Sequence, residues 1–596
     1  MIRFQNEKNN LFRNSFLLCF GNSSIKKHHL ILFFAMLFCC SYSLNLNVFG
    51  NTFYLADYHP VADGVTDDTP ALQQLFNTVA AKGGGVVTIP PGNYFVKGEK
   101  TLPVSSNTTV FAYGANFYLP EKLGDQARIV LFKGTDVTNF SWFGANFKGY
   151  CFDPGVENNT WEPNVNTRIF VIQSSKTGKT DQILFRDVCS SKIAGAVIHV
   201  AGYTDKESTA ESTAINFATN ITVENCTLLE SGRFMWDYGF LWEILVFPEV
   251  HTPAEQKIAQ KYFLKEYIRE NLKIDNGSDK VYINNVKNPL PISSSDTPNQ
   301  VLCFYNDILP QNIVRGKQYY IVESTPEYIK VSDSFQGRPI VFDGAAGTNA
   351  KLIYNIEHVF YSLFSPIGSG PGKGSIDLVR CRNTKISDCT ISAQGDAMHV
   401  FCCHNNLIAN NKILGARMGA FFLAEYSKNS TITGNTVDGT NGSRVLSIER
   451  SNEDVTVTSN IFRNGGRGSW INQPQNLVIH GNLFINNTNK NSRNENGRRD
   501  FKTGEWVTFP EMYFTTYQKD AKYGPVILSN NIFITGKEAS AALHFQKNAQ
   551  NILVHGNTFT GGTTVIMMDK DDGSIDITNN RGAVIKKGTI HSISND

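Results

Sequence analysis

The sequence predicts an all-β chain wound as a right-handed parallel β-helix solenoid, with an N-terminal capping helix and an inserted small α+β module. Two observations lead there: a short strand motif that recurs about once per coil, and a helix-then-strand segment suited to closing the first coil. At 596 residues the chain is too long for one compact core, whereas a solenoid buries each repeat only against its neighbours.

The motif is apolar–x–apolar–x–(Asn/Asp)–(Asn/Cys), usually followed by x–(Ile/Phe). It reads TKISDCTI from Thr384, NLIANNKI from Asn406, STITGNTV from Ser430, VTVTSNIF from Val455 and LVIHGNLF from Leu477. It continues as VILSNNIF from Val526, ILVHGNTF from Ile552 and SIDITNN from Ser574. From Ile386 through Ile408, Ile432 and Val457 to Ile479 the gaps are 22, 24, 25 and 22 residues. That period suits one coil of three short strands. Cys389, Asn411, Asn435, Asn460, Asn482, Asn531 and Asn557 then stack inward as a ladder whose amides satisfy turn backbones. Cys226 holds the same place in ITVENCTL, and ILFRDVCS from Ile183 marks another early coil. No cysteine spacing suggests zinc, and Cys226 and Cys389 read as small buried residues of the stack.

Residues 56–98 read ADYHPVADGVTDDTPALQQLFNTVAAKGGGVVTIPPGNYFVKG. Thr69 is the expected N-cap, Pro70 suits the first turn, and Leu72, Leu75, Phe76 and Val79 mark one helical face. Gly83 to Gly85 end the helix, and a strand from Val86 to Ile89 runs into a Pro-Pro-Gly turn. Asp63, Asp67 and Asp68 are expected as cap and turn residues. This segment resembles the N-terminal signature of the pectate-lyase-like superfamily, D-G-V-T-D-D-T-x-A-L-Q followed by P-x-G-x-Y. The resemblance implies the fold; that superfamily spans lyases, hydrolases and tailspikes, so it leaves the chemistry open.

The organisation expected is a leader (1–45), a cap with the first coils (52–245), an insertion (246–370) and the C-terminal coils (371–596). In the insertion, Thr252-Pro253-Ala254-Glu255 opens a helix reaching about Asn271, and QYYIVES and YIKVSD read as strands. In the leader, Lys26, Lys27, His28 and His29 precede the apolar run Leu30 to Cys40, as in an export signal. Secretion or a periplasmic location is expected, with lipid anchoring at Cys39 or Cys40 as a weaker alternative and no transmembrane anchor in the mature chain. The formal charge of +2 gives no reason to expect nucleic acid, and a monomer is expected.

Strands just before the motif, GDAMHVFC, GAFFLAEYSK, RVLSIERS, GSWINQ and AALHFQKN, place Met398, Val400, Phe421, Leu423, Leu446, Ile448, Leu543 and Phe545 inward. His399, Ser447, Glu449, Trp470, Asn472, His544 and Gln546 then face outward. Glu425, Tyr426, Lys428 and Arg450 lie where these strands enter the next turn. His399, Glu425, Tyr426, Lys428, Glu449 and Arg450 come from three adjacent coils and form the candidate catalytic cluster. Trp470 offers a stacking platform, with Asn472 and His544 as further binding candidates. Arg417, Arg444, Arg463, Arg467, Arg498 and Arg499, the last two in the insertion NKNSRNENGRRDFKTGEW, make the local surface basic and suited to an acidic polysaccharide.

Such a glycan is cleaved by β-elimination when a base removes the C5 proton, a cation neutralises the C5 carboxylate and an acid serves the leaving oxygen. Lys428 and Arg450, 22 residues apart, resemble the lysine–arginine pair of β-helix lyases of the alginate-lyase/chondroitinase-B family. The resemblance implies Lys428 as base and Arg450 as acid or neutraliser. That family's acidic calcium ligands are replaced here by Phe421, Phe422 and Leu423, so calcium is in question, no metal ligand is assigned, and His399 or Tyr426 could serve as base. Two alternatives stay open. One is a polygalacturonase-like hydrolase using Asp396, Glu425 and Glu449, although Ala397 replaces that family's second aspartate. The other is a non-catalytic glycan-binding β-helix.

Overall fold

The computed structural model describes residues 51–587 apart from 99, 121–127, 150–165, 206–214, 233–244, most of 251–266, 284–288, 295–300, 306–307, 355–372, 417–418, 440–443, 489–507, 517–521 and 571–572. The expected leader lies outside the described residues.

The chain is a parallel β-helix. Each coil gives two strands to a 25-stranded sheet that bends at the ladder residue, and one strand to a 13-stranded sheet. One coil reads His404–Ala409, a corner at Asn410 and Asn411, Lys412–Ala416, then Phe421–Leu423. Coils stack in register: Ile386 pairs with Ile408, Ile408 with Ile432, Ile432 with Val457, and Val457 with Ile479. Every residue expected inward on the strand before the motif is buried in the core.

The asparagine ladder carries the corner. The main-chain N–H of Asn411 donates to Oδ1 of Asn435, Asn435 to Asn460, Asn460 to Asn482, Asn482 to Asn531, Asn531 to Asn557, and Asn557 to Asn580, at 2.9–3.0 Å. Each Nδ2 reaches back to a carbonyl of the preceding coil, as Asn482 does to Val457 at 2.9 Å. The residue before each rung is left-handed, φ 59° at Asp388, 58° at Asn410 and 67° at Gly434. That conformation explains why Asn, Asp or Gly recurs there. A second, exposed ladder runs outside: Asn429 donates to Asn405, Asn405 to Asn383, and Asn383 to Asn220, at 3.0–3.1 Å.

The capping helix spans Thr69–Ala81, with Leu72, Leu75, Phe76 and Val79 buried. Phe76 stacks over Trp142, ring centroids 6.3 Å apart, so the helix closes the open end of the core. The helix starts at Thr69 with Asp68 at the cap position, one residue earlier than expected. The Thr69 hydroxyl is already occupied, donating to Asp67 at 2.5 Å and accepting from the Lys97 N–H at 3.2 Å. Asp63 and Asp68 act in turns, Asp63 accepting from Val65 and Thr66 and Asp68 from Val61 and Ala62.

The insertion carries a seven-stranded antiparallel sheet between Ile268 and Tyr354 with its own core, including Leu272, Phe304, Ile321, Val331 and Leu352. Gln318–Ser324 and Tyr328–Ser332 pair as expected. Most of the helix expected from Thr252 lies outside the described residues, and where its end was expected Ile268–Arg269 is a strand, paired with Leu352 and Ile353. The solenoid continues across the insertion without loss of register: Ile221 pairs with Thr384 and Val223 with Ile386.

A third inward column holds Glu511, fully buried, accepting from the Asn487 N–H at 3.0 Å and from its side-chain amide at 2.5 Å. Burial pushes its carboxyl up to about 7, against the two Asn487 bonds that lower it.

Two outcomes follow. Asn482→Ala strands the Asn460 N–H and the Val457 carbonyl in the core and is expected to cost about 3 kcal/mol in denaturant unfolding. Asn476, exposed and donating to Asp454 at 2.9 Å, has a left-handed backbone at φ 53°, so Asn476→Gly, which tolerates that backbone, is expected to cost below about 0.5 kcal/mol; equal losses would contradict the assignment. For Glu511 the folded pKa lies above the unfolded one, so its contribution is fully present below the unfolded pKa and lost as pH rises through about 7. Glu511→Gln should therefore flatten the decline in stability between about pH 5 and about pH 8, read from melting profiles.

Candidate functional site

The strand register of the 13-stranded sheet builds one outward column: His199, Asp377, His399, Phe422, Ser447, Trp470, Tyr513 and His544, each paired with the next. At its head, Asp377 sits between two imidazoles. Its Oδ2 lies 2.7 Å from His199 Nδ1 and its Oδ1 2.8 Å from His399 Nδ1. Burial works against its charge, but His199 and His399 outweigh that and hold the carboxyl well below its ordinary value. An ionised carboxylate only accepts, so both Nδ1 atoms donate and both Nε2 atoms are directed away from Asp377. The site is largely enclosed, with His399 only 7% exposed.

Further along, Trp470 Nε1 donates to Thr515 Oγ1 at 2.8 Å, and the Asn472 amide donates to the same oxygen at 2.7 Å. The Arg444 guanidinium lies over the Trp470 ring at 4.3 Å and 3.9 Å from Glu449. Tyr513 packs on His544 with ring centroids 4.8 Å apart, and His544 Nε2 lies 2.9 Å from Asp569. The column thus carries titratable groups at its head and aromatic faces beyond them, an arrangement suited to moving protons and to binding sugar rings.

The cluster expected from sequence divides among three places. His399 stays on this sheet, and Glu449 follows its strand Leu446–Ile448, 4% exposed. Glu425, Tyr426 and Arg450 occupy the next corner: the Tyr426 N–H donates to the Arg450 carbonyl at 3.1 Å, and the Arg450 guanidinium pairs with Glu425 and lies 3.7 Å from Glu449. Burial, then the Glu425 charge, raises the Tyr426 phenol. Lys428 opens the following strand on the other sheet, pairing with His404 and Glu453 in register and with the Glu453 carboxylate at 2.7 Å.

Lys428 and Arg450 are therefore not equivalent positions one coil apart. Lys428 is matched by Glu453, 25 residues on; Arg450 falls three short of that, in the corner. The left-handed backbone at Tyr426, φ 57°, turns the chain between sheets and carries Lys428 away from the face that holds His399.

Arg417, Arg498 and Arg499 lie outside the described residues. Arg463 pairs with Asp438 at 3.0 Å, and Arg467 lies 5.9 Å from the Phe509 ring. Asp396 accepts from the Gly419 N–H at 2.8 Å. Among the described residues no three His, Cys, Asp or Glu side chains converge to hold a metal, and no helix is long and apolar enough to cross a membrane.

Sequence reasoning missed His199 and Asp377. Alternation in AVIHV and SIDLV marks each as outward, but the two stand 178 residues apart with the insertion between them, and no spacing in the chain shows that their strands are adjacent.

Residues 357–503 match the family described as "Right handed beta helix region". The described residues have the fold of a parallel β-helix. No curated protein sequence matches it. Among solved structures it is similar to the A-module of the mannuronan C-5 epimerase AlgE6 of Azotobacter vinelandii, with 10% identity, 90% of this chain and 100% of that one covered, and a TM-score of 0.48. It is also similar to PfbA, a surface adhesin of Streptococcus pneumoniae, with 13% identity, coverage of 92% and 96%, and a TM-score of 0.44. For an exopolygalacturonase of Thermotoga maritima the figures are 9%, 89%, 91% and 0.39.

The Asp377–His399 contact is testable by a double-mutant cycle. Asp377→Ala and His399→Ala should couple by about 1–3 kcal/mol in unfolding experiments. Additive losses would mean the two side chains do not meet.

Proposed function

We propose that this β-helix acts outside the cytoplasm as a lyase, cleaving an acidic, uronate-containing polysaccharide by β-elimination. The observation that supports it most is Asp377 between His199 and His399, at the head of a column of aromatic rings flanked by arginine. In this reading His399 Nε2 removes the C5 proton. The electron pair left by the C5–H bond forms the C4–C5 double bond as the C4–O bond breaks. His199, on the other side of Asp377, delivers the proton taken up by the leaving oxygen. Asp377 is a positioning residue, fixing both rings in the tautomer the chemistry needs. Arg444, stacked on Trp470 three strands from His399, is a cation for the carboxylate of a uronate further along the bound chain, not for the one on the reacting sugar.

Lys428 does not serve as base in this proposal, because its ammonium is paired with Glu453 on the other sheet. The hydrolase alternative finds less support. Asp396 is bound to a backbone N–H, and Glu425 and Glu449 neighbour Arg450.

The test is purified protein against polygalacturonate, alginate and hyaluronan, read for unsaturated ends by ultraviolet absorbance and for reducing ends. Unsaturated ends are expected, falling at least about 100-fold in His399→Ala while polymer binding persists. Asp377→Asn should lower kcat more than it alters KM. Reducing ends without ultraviolet absorbance would replace the lyase by a hydrolase; binding without cleavage would replace it by a glycan-binding protein.

A further inference from the structure

Resting on the lyase reading, we infer that substrate recognition is one-sided. An extended polyuronate chain lies along the coil axis from the His–Asp–His group toward the C-terminal coils, over Ser447, Trp470 and Tyr513 as far as His544.

The two directions from the head of the column differ in chemistry. Toward the C-terminus every step adds a ring or a hydrogen-bonding group: Phe422, Ser447, Trp470, Tyr513, His544. Toward the N-terminus His199 is followed in register by Val171, Lys133 and Pro103, one cation with no ring and no neutral hydrogen-bonding group. Between Asp377 and His544 lie six inter-strand steps, on the order of 29 Å at about 4.8 Å each. That length accommodates several sugar rings.

Two buried polar atoms mark the same stretch. The Ser447 hydroxyl and Asn472 Oδ1 are fully buried and have no hydrogen-bond partner. Both are sealed from solvent beside Trp470 or on its strand; the side chains of the row that a sugar can reach are the partly exposed Phe422, Trp470 and Tyr513. The ring itself is held in place, by Thr515 at its nitrogen and Arg444 over one face. Trp470 and Tyr513 are thus specificity-determining residues for chain length, several coils away from the reacting carbons.

The test uses the full chain carrying His399→Ala, so that probes stay intact, and labelled oligogalacturonates and oligomannuronates of graded length. Affinity is expected to rise with length until the row is filled. Adding Trp470→Ala or Tyr513→Ala should lower affinity about tenfold for long oligomers and leave the shortest unchanged, while Tyr513→Phe, which keeps the ring, stays close to the parent. Affinity independent of length, or an equal loss at all lengths, would overturn the one-sided row and leave the lyase reading standing. No binding of any uronate oligomer would overturn the lyase reading itself.

Discussion

In-register stacking of coils through buried asparagine amides is the constraint on which the rest of the structure depends. Each rung accepts the N–H of the coil before it and returns its own amide protons to a carbonyl, as Asn482 does between Asn460 and Val457. The main-chain N–H of each rung from Asn411 to Asn557 is thereby paired in the core. A slip of one residue would turn inward residues outward and leave those amides without partners. Register therefore holds even where the seven-stranded module interrupts the coils, with Ile221 still opposite Thr384.

From that register the site follows. Outward residues distant in sequence become neighbours about 4.8 Å apart, so one carboxylate can serve the imidazoles on either side. Asp377 is buried, where an isolated charge would be costly; two Nδ1–H donors keep it ionised and fix the direction of both rings. In the proposed lyase the column that organises proton transfer continues as a row of rings, so catalysis and binding would share one scaffold.

Much of the fold was legible because its signals are local and repeated. The ladder asparagines, the alternation around Met398 and Val400, and the apolar face of the capping helix all depend on neighbours a few residues away. The candidate site was legible only in part. His399, Trp470, Asn472 and His544 follow from alternation and fall on the outward face of one sheet. Lys428 and Arg450 did not, because coils differ in length and one left-handed residue at Tyr426 redirects the chain between two strands of a single coil. The partners His199 and Asp377 were hidden for a different reason: a folded module intervenes, and no periodicity in the chain reveals which strands become adjacent beyond it.

The most direct measurement of this account is the nitrogen chemical shifts of the imidazoles in protein labelled at histidine, assigned through His199→Gln and His399→Gln. With Asp377 between them, both rings should carry a proton on Nδ1, donated to that carboxylate, and Asp377→Ala should release both from that arrangement. If either ring already populates the opposite tautomer in the intact protein, or if the aspartate substitution affects only one of them, the coils do not bring these three side chains together as described.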